Sequence, residues 1–463
     1  MSKMNHGLRS TALAVGALAA FACATRCCQA QEGGVSITVD PAVEIGRVKP
    51  VNGVGQPPLV GWIGTNMFHY LTEAGVPYSR LHDVGGAYGG NRFVDIPNVF
   101  RDFDADETNP ENYDFAFTDR LLAALVAAGV EPYYRLGVTI ENAYEIRALR
   151  IHPPKDYAKW ARICEHVIRH YTEGWANGFH YKISHWEIWN EPDGKALWLG
   201  TFQQFLEFYE LVSKHLKAKF PHLMIGGYGS SGLFKLVQEK PRPHDDHTMQ
   251  CFLDFVRFCK ERNCPVDFCS IHAYDMPGAW LTPEAVKVYG DFARKTLDEA
   301  GFAKTELSMN EWLPRWSDPG SLKQAALIAG LLVGFQHSAW NDAAIYDAKC
   351  GMGKYSPFFD PSTSKPRKAY WAFRLFKELR KRGTEVKTVS SSTVIQTLAA
   401  KGQADIVALF VNVGDRPLPL DVSISGGWKV SDCRAVDEAY DGQDGPLPLR
   451  IGAYTTLLVR FVK

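Results

Sequence analysis

Glu191 stands near the end of the run HWEIWNEPDG (residues 185–194), and Glu311 near the end of TELSMNEW (residues 305–312). Each follows a short apolar stretch that reads as a buried strand, and Pro192 with Gly194 stops the first of them. Burying a carboxylate is costly unless it is paired or used. An acid at the very end of such a strand, next to Asn190, therefore calls for a role. Two carboxylates facing each other across a sugar-binding mouth can hydrolyse a glycosidic bond, one protonating the leaving oxygen while the other attacks the anomeric carbon. Strand alternation puts Glu187, Trp189 and Glu191 on one face with Glu191 nearest the mouth, so the deeper Glu187 reads as a structural acid.

Something must hold the two acids opposite each other. Short β-rich runs near residues 49, 78, 131, 183, 223, 266, 305 and 343 alternate with amphipathic helical patterns such as YAKWARICEHVIRHY and FQQFLEFYELVSKHLKAKF. Strand and helix repeated in this way predict an α/β fold of the (β/α)8 TIM-barrel type, with its site at the C-terminal ends of the strands. Three strand–helix units lie between Glu191 and Glu311, which in a closed eight-stranded barrel sets them across the mouth from each other. The barrel is assigned to residues 49–383. From residue 384 to 463 the pattern changes to short strands with turn signals (EVKTVSSS, TVIQTLAAKG, IVALFVNVG, LPLDVSISGG, YTTLLVRFVK), which predicts an accessory β-sandwich. Residues 31–48, with VSITVD, form an N-terminal strand segment that could add to the sandwich.

The chain has 463 residues, 46% hydrophobic and 12% aromatic, enough for a large core plus a smaller module. Its 51 basic residues balance 51 acidic ones, so it lacks the charge footprint that nucleic acid or an anionic membrane would select. A neutral oligosaccharide or polysaccharide fits better, and a homo-oligomer is compatible with the sequence. Residues 1–30 carry Lys3, His6 and Arg9, an apolar run too short to span a bilayer, and small residues placed for cleavage after Ala30. They read as a signal peptide of a secreted or periplasmic protein. Lipoprotein anchoring at Cys23 is the weaker alternative, because the preceding AFA lacks the usual branched aliphatic. Removing the signal leaves seven cysteines, an odd number whose spacing matches no zinc pattern.

The segment WEIWNEPDG with the helix that follows it resembles the acid/base region of clan A glycoside hydrolases, most closely family 39, which contains β-xylosidases and α-L-iduronidases. The likeness runs over roughly residues 45–380. It implies a retaining O-glycosidase needing no metal or organic cofactor, with Glu191 as general acid/base and Glu311 as nucleophile. It further implies that Asn190 contacts the sugar 2-hydroxyl. In HAY (272–274), His272 would meet the sugar and Tyr274 hold the nucleophile; in RLHD (80–83), Arg80 would lie beneath the nucleophile and His82 beside the sugar. Arg80 and Tyr274 would keep the pKa of Glu311 low, while the charge of Glu311 raises that of Glu191. Two departures stand out. Asn310 occupies the place where the family commonly has Thr, and AWNDAAIYDAKCG lacks the pair of acids by which family xylosidases hold the distal hydroxyls.

Trp312, Trp316 and Trp340 read either as sugar-stacking platforms or as core, and Asp347, at the end of the last strand, as a hydroxyl ligand. The run PHDDH (243–247) has no metal-site spacing and reads as a solvated loop. The reading that follows is a secreted retaining glycoside hydrolase, exo-acting on β-linked sugars in the manner of a β-xylosidase. Its alternatives are an endo-acting glycanase of the same clan and a carbohydrate-binding protein that has lost turnover.

Overall fold

The structure is a computed structural model and describes residues 34–60, 65–84, 94–140, 150–314, 319–351 and 355–463. The segment 1–30 assigned as a signal peptide lies outside the described residues, as does Trp316. No helix among the described residues is long and apolar enough to cross a membrane.

Eight parallel strands close into a barrel in chain order: Gly53–Gly55, Tyr78–Leu81, Glu131–Leu136, His185–Ile188, Met224–Ser230, Phe268–Tyr274, Glu306–Leu313 and Asp342–Ile345. Each of the eight β-rich runs supplies one of them. The surrounding helices form because their apolar residues recur at helical spacing, and four of them, at Asp156, Thr201, Thr282 and Ser321, carry a side-chain cap on the first turn. In Tyr157–Thr172 the buried stripe is Trp160, Ile163, Cys164, Val167, Ile168 and Tyr171, and the Asp156 side chain accepts from the Lys159 amide. Phe202–Lys219 starts with a capping box between Thr201 and Gln204. PHDDH is not a loop: it opens the helix Pro243–Arg262, where the Asp245 carboxylate accepts from the Arg242 amide at 2.8 Å and from its guanidinium, and Asp246 pairs with Lys235.

The last barrel helix, Lys368–Arg382, ends at Gly383, and the next strand begins at Thr384. Apart from the short pair Leu59–Val60 and Thr65–Asn66, the remaining strands form one mixed nine-stranded sheet rather than two separate ones. Its order is Asp441–Gly445, Lys429–Val436, Thr456–Val462, Ile406–Asn412, Ile395–Lys401, Thr384–Ser390, Val35–Arg47, Leu418–Ile424 and Arg450–Ile451. The N-terminal strand thus sits inside this sheet, antiparallel to Thr384–Ser390 and parallel to Leu418–Ile424. Val35, Ile37 and Val39 alternate inward and share one core with Cys433, Ile451 and Phe461 from strands near the two ends of the sheet. The sheet curls over itself, which gives a sandwich-like core from a single sheet. Leu322–Gln336 is apolar nearly all round because it is covered on one side by the barrel and on the other by this sheet, with Gly330 allowing Val413 close approach. All seven cysteines in the described residues are buried and unpaired.

Candidate active site

The strand bearing Glu187 ends at Ile188, and the next residues leave simple alternation. Trp189 and Glu191 both take positive φ, 68° and 43°, in the left-handed region. Trp189 therefore does not share the face of Glu187: it turns outward against Trp160, Trp198 and Phe208, and its indole N–H donates to the Leu197 carbonyl at 2.9 Å. Glu191 is brought over the mouth instead, its amide held at 2.8 Å by the carbonyl of Gly229. Gly229 itself has φ 63°, and a Cβ there would lie 3.3 Å from Glu187 Oε1, so this turn requires glycine. On the seventh barrel strand, the register shifts between Ser308 and Glu311. This bulge lets consecutive residues Asn310 and Glu311 both address the interior.

Arg80, fully buried, joins the two glutamate strands from below. Its Nε donates to Glu187 Oε2 at 2.7 Å, its Nη1 to Glu311 Oε2 at 2.8 Å and its Nη2 to Asn190 Oδ1 at 2.5 Å. Glu187 Oε1 accepts from Ser270 Oγ at 2.6 Å and from Asn310 Nδ2 at 2.7 Å. Asn310 thus supplies a hydrogen bond at the place where the family commonly carries Thr. Burial alone would raise the pKa of Glu187, but Arg80, Ser270 and Asn310 outweigh it and the carboxyl falls below its usual range. Removing this arginine leaves Glu187 buried and unpaired. Arg80→Ala should therefore lower unfolding stability by about 3–5 kcal/mol, measured by denaturant titration; a loss under about 1 kcal/mol would contradict this account of the floor.

Above this floor, Glu191 and Glu311 meet. His272 Nδ1 shares a hydrogen bond with Glu191 Oε1 at 2.7 Å and lies 3.8 Å from Glu311 Oε1. One donor atom from each of Glu191, His272 and Glu311 lies within 4.8 Å of the others, short of the roughly 6.5–9.5 Å by which an inverting pair is separated to hold its attacking water. The Tyr274 hydroxyl donates to Glu311 Oε1 at 2.5 Å. Glu311 thus receives a donor on each oxygen, whereas His272 is the partner of Glu191. Desolvation pushes the Glu191 pKa up to about 7, with the charge of Glu187 adding to it and Arg80 opposing. The charge of Glu311 was the expected source of that rise; burial is its cause, and the carboxylate that adds to it is Glu187. Glu311 was expected to be held low, and Arg80, His272 and Tyr274 do act in that direction. Burial nevertheless outweighs them, and the Glu311 pKa lies above its usual value.

The other expected residues divide into two groups. Asn190 sits at the mouth with Nδ2 unpartnered, free to donate to a ligand. His82 is buried 3.4 Å from Asp83 Oδ1, and burial holds its pKa well below the usual value, so it is neutral. Asp347 is buried at the end of the eighth strand, where its Oδ1 accepts from the Lys349 amide and Ser356 Oγ, both at 3.1 Å. Trp312 and Trp340 are not at the mouth. Both are fully buried, Trp312 against Phe335 and Trp340 donating to the Val286 carbonyl at 2.8 Å beside Gly290. They fill the layer between barrel and helices, with no ring face open to a sugar.

Two further parts of the site lie among residues not singled out above, Ser270 and the cluster around Asp83. Ser270, His272 and Tyr274 alternate on one face, so the strand period could have found Ser270. Asp83, with its pKa raised to about 6 mainly by burial, accepts from the Tyr346 hydroxyl at 2.8 Å, and that hydroxyl accepts from Gln56 Nε2 at 2.6 Å. This contact joins the first, second and eighth strands and has no sequence signal, because each residue is unremarkable alone.

A parallel barrel carrying two apposed carboxylates at its strand ends, each with a different set of donors, is the build of a glycoside hydrolase. The model of Glycosyl hydrolases family 39 matches residues 89–344. The chain belongs to that family, whose members are retaining enzymes. It is 28% identical over 201 residues to a beta-xylosidase of Geobacillus stearothermophilus, a match that takes in 40% of this chain and spans 35% of that relative. Among solved structures, a glucosidase from Croceicoccus marinus shares the fold with a TM-score of 0.76 at 19% identity, over 94% of this chain and 100% of that one. A beta-xylosidase from Caulobacter crescentus CB15 shares it with a TM-score of 0.67 at 16% identity, over 92% of this chain and 99% of that one.

Proposed function

We propose that the protein is an exported, exo-acting glycosidase that releases single sugars from β-linked substrates, xylosides first, with Glu191 as acid/base and Glu311 as nucleophile. The observation that carries the assignment of roles is the unequal set of donors on the two carboxyls. A single proton shared between them belongs on Glu191, because Arg80 and Tyr274 bind the two oxygens of ionised Glu311. Glu191 then protonates the glycosidic oxygen as Glu311 attacks the anomeric carbon. Once the glycosyl-enzyme ester forms, Glu191 takes a proton from water, which displaces Glu311 and restores the starting state. The Geobacillus relative supports a xyloside as substrate, and the charged, apolar and small-residue pattern of residues 1–30 supports export.

Incubation with a panel of aryl β-glycosides and polysaccharides tests the substrate reading. Xylose should be released from an aryl β-xyloside, with no internal cuts in xylan; mixed oligosaccharides from xylan with no turnover of the aryl glycosides would point to endo action. The pH profile tests the roles. Glu191 must be protonated, so kcat/KM should fall as pH rises through about 7. Glu311 must be ionised, so the rate should also fall on acidification, from a pKa above the ordinary carboxylate range. The result is a bell with a mildly acidic optimum. Glu191→Gln should remove the alkaline limb for an activated aryl glycoside, and retention of that limb would assign it to another group.

A further inference from the structure

The end of the barrel opposite the carboxylate pair gathers a second set of donor groups that glycoside cleavage does not use. His185, Glu306 and Asp342 are the first residues of the fourth, seventh and eighth barrel strands. One donor atom from each lies within 4.8 Å of the other two. His185 Nε2 and Glu306 Oε2 are 3.4 Å apart. These two atoms are hydrogen-bonded to each other, and metal–ligand bonds of about 2.0–2.1 Å in tetrahedral geometry also put neighbouring donors about 3.3–3.4 Å apart, so the pair can exchange its hydrogen bond for one ion without moving apart.

The three residues line a cavity of about 430 Å³, together with Glu131, whose Oε2 lies 4.0 Å from Lys182 Nζ, and with neither lysine nor arginine among the described lining residues. That gives it room for bound water and a charge suited to a cation. The donors are also held in place, as ligands need to be. The His185 ring stacks on Tyr133 at 4.9 Å and 11° and meets Phe268 edge-on at 5.3 Å. Asp342 accepts from the Ser308 hydroxyl and, at 3.3 Å, from that of Tyr78.

We propose that this cavity is a divalent-cation site of the zinc class, with His185, Glu306 and Asp342 as protein ligands and water completing the shell. One imidazole and two carboxylates favour zinc, cobalt or manganese over calcium and magnesium, which prefer oxygen alone. The ion ties the fourth strand to the seventh and eighth across the barrel floor. Its role is to stabilise the fold, the usual business of this face of a barrel.

The test is calorimetric titration of the chelator-stripped, full-length enzyme with zinc chloride, alongside its melting temperature. Because Glu191, His272 and Glu311 form a second group of donors, Glu191→Gln is titrated in parallel. One equivalent should bind to the wild type and equally to Glu191→Gln, and should raise the melting temperature of both. His185→Ala and the isosteric Glu306→Gln should each weaken binding by about 100-fold or more. Cobalt absorption, read on wild type and Glu191→Gln, requires no change at the proposed ligands and should show the intense visible bands of a low-coordinate ion in both. The proposal is overturned if no saturable binding occurs, if binding is lost in Glu191→Gln, or if it survives both His185→Ala and Glu306→Gln.

Discussion

Glu311→Ala is expected to lower turnover of every glycoside the enzyme cleaves by a factor on the order of 10⁵ or more, the scale seen when a covalent nucleophile is removed. The loss should be as large for a dinitrophenyl glycoside as for a natural one, because a better leaving group cannot replace the atom that attacks. Azide, small enough to occupy the vacated space, should restore some turnover and give a glycosyl azide of inverted configuration. Folding should be little affected: the arginine that Glu311 leaves behind keeps Glu187 and Asn190 as acceptors. Steady-state rates on both substrates, with proton NMR of the azide product, check this. A variant that keeps more than about a hundredth of wild-type activity would remove Glu311 from the nucleophile's place.

Glu191→Ala should behave differently and depend on the leaving group. Hydrolysis of a natural glycoside should slow by about 10²-fold to 10⁴-fold, the usual worth of general acid catalysis. The first step should survive with a dinitrophenyl glycoside, whose phenolate departs without a proton. The glycosyl-enzyme should then accumulate, visible as a burst of phenolate, because no base remains to activate water. Azide should relieve the block and give a product of retained configuration, the opposite of that from Glu311→Ala. The same stereochemical outcome from both variants would mean that the two roles have been assigned wrongly.

Most of the scaffold was legible because barrel strands are short apolar runs bounded by turn residues, and the amphipathic helices between them keep the reading in phase. The two glutamates proposed to do the chemistry stand out for the same reason, as polar residues at the ends of buried strands. What strand periodicity could not show is where the backbone departs from it. The left-handed residues at Trp189 and Glu191 and the bulge before Glu311 re-aim side chains that strict alternation would place otherwise. Trp312 follows Glu311 directly and points to the helices rather than the mouth, a distinction that residue type does not carry. The network of Gln56, Asp83 and Tyr346 depends on barrel closure, which brings the first and eighth strands together. The curled sheet was likewise visible only as strands: the parallel pairing of residues 35–39 with 420–424 spans nearly the whole chain.

The central claim is that Glu311 carries the sugar between the two half-reactions while Glu191 handles the protons. Its most direct test is to trap the intermediate with a dinitrophenyl 2-deoxy-2-fluoro-β-xyloside, whose fluorine slows both steps while the leaving group spares the first, and to map the label by peptide mass spectrometry. One fluoroxylosyl group per chain should appear, on Glu311, with activity returning as the adduct turns over to an added acceptor sugar. A label on Glu191, Glu187 or any other residue, in an enzyme that hydrolyses the parent β-xyloside, would contradict the claim.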